Sequence, residues 1–519
     1  MLIIHGRVYT MDSSNAIAEA MAIKDGRVEA IGLTNELLKK FHASDTINAG
    51  GLPVFPGFFD AHCHFYGLAR NLRFADLVGC TSFEEVMTRL IDFNSQNQMK
   101  WLAGRGWDQN LWAEKVFPDR EILDRYFPDI PVVLIRIDGH VVLANQMALI
   151  RAGFNRNHSF QENEVWVRNG RLTGILCERA ADLMKNMIPR PNQKEMAYLI
   201  QKAQRQCLSL GLTGIADAGL ERREVLLLDS LQQAGTLSLR IYVMLTPDEE
   251  NIKSFITKEV YQTDRIKVRG IKIYVDGSLG SRTALLKKPY FDEPGTTGIL
   301  VTPVDSILRL CQMALEHGYQ VCTHAIGDSA NKIILETYCR LLKGKNDLRW
   351  RIEHAQVVDL ADVTMFASSS IIPSIQATHA TSDMYWAGSR LGTERLKGAY
   401  AYHTLLQQNG WLANGTDFPI EKSNPLLTFY AAVTRKDLSG NPPGGFLPEQ
   451  ALTREEALQS MTIWAARACF WDHELGSLEA GKKADFVILD RDIMTIPPNE
   501  IPVTEVVKTF IDGKEVYTK

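Results

Sequence analysis

The sequence predicts an α/β protein: a (β/α)8 barrel, a small composite β-sandwich domain formed by both termini, and an insertion after the first barrel strand. Three observations predict it. Strand-type and helix-type segments alternate through the middle of the chain. Short β-type runs of one texture occupy both ends. The stretch between the first two barrel strands is too long for one crossover.

The ends come first. Residues 2–9 (LIIHGRVY), 21–24 and 27–31 are β-type runs broken by Gly26 and Gly32. Near the other end, 485–489, 504–511 and 514–517 repeat that texture, with Asp512-Gly513 as a turn. Either end alone has too few strands to bury a sheet face. Residues 1–53 and 472–519 are therefore expected to form one domain, with the large domain, 54–471, inserted between them.

The barrel strands follow in order. One ends at His64; the others are 211–217, 238–244, 270–276, 319–324, 350–354, 371–375 and 411–415. Helical stretches such as 194–210, 305–317 and 328–343 lie between them. Eight strands is the number that closes such a barrel. The insertion, at about 67–190, carries β-type runs at 131–137 and 140–144, a hairpin at 164–176, and Trp101, Trp107 and Trp112. An insertion at that point belongs over the carboxyl ends of the strands, where such barrels place their active sites.

The 519 residues are 45% hydrophobic and 23% charged, with a formal net charge of −4. That balance speaks against a general nucleic-acid or anionic-membrane binder, since both need a basic surface. The eight cysteines are scattered without a CxxC pair, which fits reduced thiols in a cytoplasmic protein. The opening MLIIHGRVYTMD lacks the pattern of a secretory signal. No apolar run of about 18 residues predicts a membrane span. The expected partner is a small-molecule substrate, with at most a second copy of the chain in a homodimer.

Chemistry concentrates at the strand ends. Residues two apart on a strand share a face, so His62 and His64 point the same way. Two adjacent imidazoles suit a borderline cation such as Zn²⁺, although a bare HxH pair is a weak signal. In IKIYVD, Ile271, Ile273 and Val275 alternate with Lys272, Tyr274 and Asp276. The apolar set should face the helices, which puts Lys272 and Asp276 inside the barrel. A buried ammonium needs a reason. One is a salt bridge; another is carbamylation by CO2, giving a carboxylate that bridges two metal ions. His324, with Asp328 after it, and His354 end the next two strands. Asp417 follows the eighth. Candidate ligands thus fall on strands one, four, five, six and eight. The remaining histidines, His5, His42, His158, His317, His403 and His473, lie outside this pattern and read as structural.

The motifs resemble the amidohydrolase superfamily, and within it amidohydrolase family 3, the group that includes N-substituted formamide deformylase. PGFFDAHCH is similar to the first-strand motif. The likeness extends through GRGWDQ (104–109), RIDGH (136–140), IKIYVDGSLGSRTA (271–284), HAIGDSAN (324–331), RIEHAQ (351–356), GTDFP (415–419) and GSLEAGKKADFVILD (476–490). The resemblance implies a metal-dependent hydrolase in which His62, His64, His324, His354 and Asp417 bind one or two divalent ions. Zinc is the expected ion, and Lys272 the carbamylated bridge. Asp417 is implied as ligand and acid/base.

A divalent ion lowers the pKa of a bound water towards neutrality, and the resulting hydroxide attacks a carbonyl. Asp417 then takes the proton and returns it to the leaving amine. Trp107, Asp108, Asp138, His140, Ser278, Arg282, Thr283, His379 and Asp383 are candidates for substrate contact or support. Arg282 could equally tie its loop down by a salt bridge. The expected reaction is cleavage of an amide-type C–N bond, as in an N-acyl or N-formyl amine. The alternatives are a deaminase or cyclic amidase acting on a heterocycle, and a binding protein that kept the barrel without turnover. Deamination usually needs an acid beside the ring nitrogen, and strand alternation turns Glu353 away from the inner face if His354 points in.

Overall fold

The computed structural model describes residues 1–97, 99–154 and 164–519. Its largest sheet holds eight parallel strands in chain order: Phe58–Cys63, Leu212–Leu220, Arg240–Leu245, Ile266–Tyr274, Gln320–Ala325, Arg351–His354, Ile372–Ile375 and Ala413–Asn414. Strand eight returns to strand one. The Asp417 N–H donates to His62 O at 2.8 Å, and the His64 N–H donates to Phe418 O at 2.7 Å. The sheet is therefore the barrel that the alternation predicts, and each strand falls on a run marked in the sequence.

Barrel strands are covered by helices outside and side chains inside, so they read as near-continuous apolar runs. Phe58–Cys63 is buried at every position. The covering helices carry one apolar stripe each. In Arg222–Gln233, a capping box between Glu221 and Glu224 starts the helix, and Val225, Leu228 and Leu231 repeat on its buried face.

One end of the barrel is plugged. Ala61, Ala216 and Ala413 sit beside the larger Phe59, Tyr242, Met244 and Ile372, and this core continues into Ala465, Ala468, Trp471 and Leu475. Gln320 Nε2 donates to Ala468 O at 2.8 Å, and Lys267 Nζ donates to Phe470 O. Both bonds start near the amino ends of their strands. The helix Ile463–Ala468 and the turn after it therefore cover the amino ends, and the polar residues collect at the carboxyl ends.

Two further sheets come from the chain ends. One contains Arg27–Gly32, Ala20–Lys24, Leu2–Ile4 and Thr46–Asn48 in that order. The other runs Lys514–Thr518, Val506–Ile511, Phe486–Leu489, Pro53–Pro56, Arg7–Tyr9 and Ile17–Ala18. Ile3, Met21 and Val28 from the first sheet share a core with Val54, Phe486 and Phe510 from the second. The hairpin turn Asp512-Gly513 has positive φ at both residues, as its type requires. Arg240, at the start of barrel strand three, joins this region to the barrel. Its guanidinium donates to Asp485 Oδ2 at 2.7 Å and to Asp512 Oδ1 at 2.6 Å.

Residues Ala69–Leu199 form a second compact unit. Its six-stranded sheet is ordered Val165–Arg168, Arg171–Cys177, Val141–Ala144, Val132–Arg136, Leu102–Trp107 and Ala75–Asp76. One core holds Leu77, Val86, Trp107, Trp112 and Leu134; another holds Val133, Val142, Leu149, Leu176 and Met184. His158 lies outside the described residues. No helix among the described residues is long and apolar enough to cross a membrane.

Candidate metal centre

His62 and His64 leave the first strand with their outer ring nitrogens already committed. His62 Nδ1 donates to Glu353 Oε2 at 2.5 Å. His64 Nδ1 donates to Ala218 O at 3.0 Å; a carbonyl can only accept, so the proton sits on Nδ1. In each neutral ring Nε2 then presents a lone pair. Both lone pairs face one carboxylate. Asp417 Oδ1 lies 3.2 Å from His64 Nε2 and 3.5 Å from His62 Nε2. Lys272 Nζ is 3.1 Å from His62 Nε2.

Asp417 reaches this position through an unusual backbone. Its φ is +59°, in the left-handed region that Asp enters more readily than most residues. Gly415 lets strand eight close on strand one: a Cβ there would lie 2.4 Å from His62 N and 2.6 Å from His62 O. His354 has φ +73° and Ala355 +41°. The His354 ring packs against those of His324 and His62, with centroids at 4.6 and 5.1 Å. His324 Nε2 is 3.3 Å from Gly277 O. His379, in the first turn of helix Ala377–Asp383, stacks parallel to His354, with centroids 5.7 Å apart, and its Nε2 lies 3.5 Å from Asp417 Oδ2.

The expectation that Glu353 turns outward is overturned. Strict alternation would send Glu353 and His354 to opposite faces, but the left-handed turn at His354 breaks the period. Both side chains enter the barrel. Glu353 is fully buried, paired with Arg351 Nε at 2.5 Å and accepting from Ser374 Oγ at 2.7 Å as well as from His62. Asp276 also differs from expectation. The strand ends at Tyr274, and Asp276 is a loop tether, accepting from the backbone N–H groups of Leu285, Ile326 and Gly327 at 2.8–3.0 Å. Asp60 plays a similar part, accepting from the His62 and Thr416 backbones at 3.1 Å and from Thr416 Oγ1 at 2.7 Å. Asp60 was legible only as part of the first-strand motif, because nothing in its spacing marks a tether.

Burial governs the charges. It lowers the His62 pKa to about 4 and that of His324 to about 3, with Lys272 adding to both, and it holds His354 well below the usual range. Neutral imidazole is the form that binds a metal. Burial also lowers Lys272, against the pull of Glu353 and Asp417. Burial would raise Glu353, but Arg351 and His62 overcome it and bring its pKa to about 2. Burial likewise opposes ionised Asp417, and the contact with His64 together with the His62 and His379 imidazoles prevails, holding the carboxyl well below its ordinary range.

The donor set fits a cation. His62, His64 and Asp417 each offer an atom within 4.8 Å of the others, and so do His354, His379 and Asp417. Two ligands of one tetrahedral zinc, each at about 2.1 Å, lie roughly 3.4 Å apart. The 3.2 and 3.5 Å separations at Asp417 Oδ1 match that spacing. His354 Nδ1, His379 Nε2 and Asp417 Oδ1 are buried without a well-formed hydrogen bond among the described residues. Lone pairs gathered in this way repel one another unless a cation lies between them.

The barrel end thus brings together His62, His64, Lys272, His324, His354, His379 and Asp417. Other candidates have local partners. Arg282 pairs with Asp292 at 2.9 Å, and Ser278 Oγ is 2.7 Å from Ser281 Oγ. Asp383 accepts from Tyr400 Oη at 2.8 Å. Asp328 accepts from the Lys287 N–H at 2.8 Å. In the second unit, buried Trp107 donates from Nε1 to Leu134 O at 3.0 Å, and Asp108 pairs with Arg136 at 2.9 Å. His140 is exposed, with Nδ1 3.1 Å from Glu178.

A family model described as the amidohydrolase family matches residues 45–517. Putative amidohydrolase YtcJ of Bacillus subtilis is 32% identical over 527 residues, covering 99% of this chain and 98% of its own. N-substituted formamide deformylase of Arthrobacter pascens is 26% identical, covering 100% and 98%. The crystal structure of an uncharacterised metal-dependent hydrolase from Pyrococcus horikoshii superposes with a TM-score of 0.80 at 30% identity, covering 96% of this chain and 98% of the other.

Proposed function

The chain belongs to the amidohydrolase family, and we propose that this hydrolase cleaves an amide-type C–N bond in a small N-acyl or N-formyl amine. The observation that carries the proposal is the convergence of His62, His64 and Asp417 within 4.8 Å at the carboxyl ends of the barrel strands. The similarity to an N-substituted formamide deformylase over the whole chain supports the bond type. Zinc is the ion that two imidazoles and a carboxylate favour.

When bound there, a divalent ion supplies a Lewis acid for the carbonyl and lowers the pKa of water. The chain's own residues do the rest. Glu353 and Ala218 hold the two imidazoles in the tautomers whose Nε2 atoms face the site. Asp417 starts ionised and so accepts a proton from the attacking water as its oxygen bonds to the carbonyl carbon. It then delivers that proton to the departing nitrogen as the C–N bond breaks. Burial lowers the Lys272 pKa and so favours the uncharged amine, whose nitrogen could attack the carbon of CO2; the resulting carbamate would add a carboxylate to the donor set. Glu353 does not suit the ring-nitrogen role of a deaminase, because Arg351, His62 and Ser374 already occupy its oxygens.

The test is metal analysis and a substrate panel on the same preparation. Purified protein should carry zinc, lose turnover on chelation and regain it when zinc is restored, with N-acyl amines and formamides as substrates. Turnover that survives complete metal removal defeats the proposal. Turnover confined to cyclic amides or amino-heterocycles selects the other bond type. Metal counting in Lys272→Ala decides the bridge: an unchanged count makes Lys272 structural.

A further inference from the structure

We propose that His379 is a metal ligand, forming with His354 and Asp417 a second cation seat that shares its carboxylate with the seat on His62 and His64. This rests on the metal-dependent reading above. The family resemblance places Lys272, His324 and His354 among the metal residues and gives His379 no ligand role. Among the described residues, two groups of histidine and carboxylate donors converge, and both contain Asp417; Lys272 Nζ lies beside the first, 3.1 Å from His62 Nε2.

The two oxygens of Asp417 serve different sides. Oδ1 faces His62 and His64, while Oδ2 faces His379 Nε2 at 3.5 Å. That distance is too long for a good N–H···O bond, which favours about 2.9–3.0 Å. It matches the roughly 3.4 Å between two ligands of one tetrahedral ion. His379 Nε2 is buried and makes no hydrogen bond among the described residues, and neither does His354 Nδ1. The two rings stand nearly parallel, 15° apart in plane, so both can turn an edge towards one point. The support is firm: the Ala377 N–H donates to Asn414 Oδ1 at 3.3 Å, and Tyr402 Oη donates to Gln376 O at 3.0 Å. These bonds seat the first turn of the helix against strand eight and the helix Tyr402–Asn409. His324 Nε2 is committed to Gly277 O at 3.3 Å, which leaves Nδ1 as its nitrogen on the cluster side.

Titration of apo-protein with Zn²⁺, counted by elemental analysis, tests the assignment. Wild type should bind two ions and His379→Asn one, with the loss exceeding about 100-fold in affinity, the upper end of what removing an outer-shell partner costs. Thermal unfolding of the two apo-proteins should coincide, which separates ligation from folding. Two ions in both proteins, or one in both, overturns the proposal and leaves metal dependence intact. A raised KM with an unchanged metal count makes His379 a substrate contact and also overturns it. No ion in wild type defeats the metal-dependent reading itself. If His379→Asn does not fold, anomalous diffraction from zinc-loaded wild-type crystals decides. A peak roughly 2.1 Å from His379 Nε2 is the expected result, and no peak there overturns the proposal.

Discussion

Glu353 shows how one side chain sets the chemistry of another. Its Oε2 accepts the His62 Nδ1 proton, so Nε2 of that ring can only present a lone pair to the site. Arg351 holds the carboxylate ionised from the far side. Glu353→Gln keeps the volume, removes the charge opposite a buried guanidinium and frees the imidazole to change tautomer. We expect zinc affinity to fall about 10–100-fold and stability to fall by about 3–5 kcal/mol, read by metal titration and denaturant unfolding. Equal zinc affinity in the two proteins would remove Glu353 from the metal centre. At this scale the sequence was half legible. His62 and His64 announce themselves because a strand has period two. Glu353 does not, because alternation counted back from an inward His354 turns it outward; it shares the inner face with Arg351, and it is His354 that the left-handed backbone brings inside as well.

Secondary-structure elements were easier to read than side-chain directions. The barrel strands are buried on both faces, so their apolar runs stand out between helical stretches with a different period. Strand eight is the informative case. Ala413–Asn414 is only two residues long, yet it carries the site, because Gly415 after it lets the backbone approach strand one closely. Gly415→Ala would push a methyl group against His62 N, His62 O and Asp60 Oδ1, all within 2.8 Å of the new carbon. The shift should cost about 1–3 kcal/mol as overpacking and move Asp417 relative to His62. The melting temperature and zinc affinity should therefore fall together. A loss of stability with unchanged zinc affinity would show that the strand relaxes without disturbing the centre.

Across the whole molecule, the plugged end of the barrel and the terminal sheets are joined by buried charge. Arg240 is 1% exposed and bonds both Asp485 and Asp512, the second of which also pairs with Arg265. Arg240→Ala leaves a buried carboxylate without its main partner and should cost about 3–5 kcal/mol in denaturant unfolding. Metal content should persist, since Arg240 starts its strand at the end opposite the ligands. Loss of metal with no loss of stability would contradict this division between a structural end and a chemical one. The amino-acid sequence by itself determined the fold class and the family, because hydrophobic period and motif spacing are local properties that survive without coordinates. It also marked the histidines and the aspartate at the strand ends as candidates. Only the tertiary structure decided which of them face a common point. That choice depends on strand eight closing on strand one and on positive φ at His354 and Asp417, and these turn side chains through angles that periodicity cannot encode.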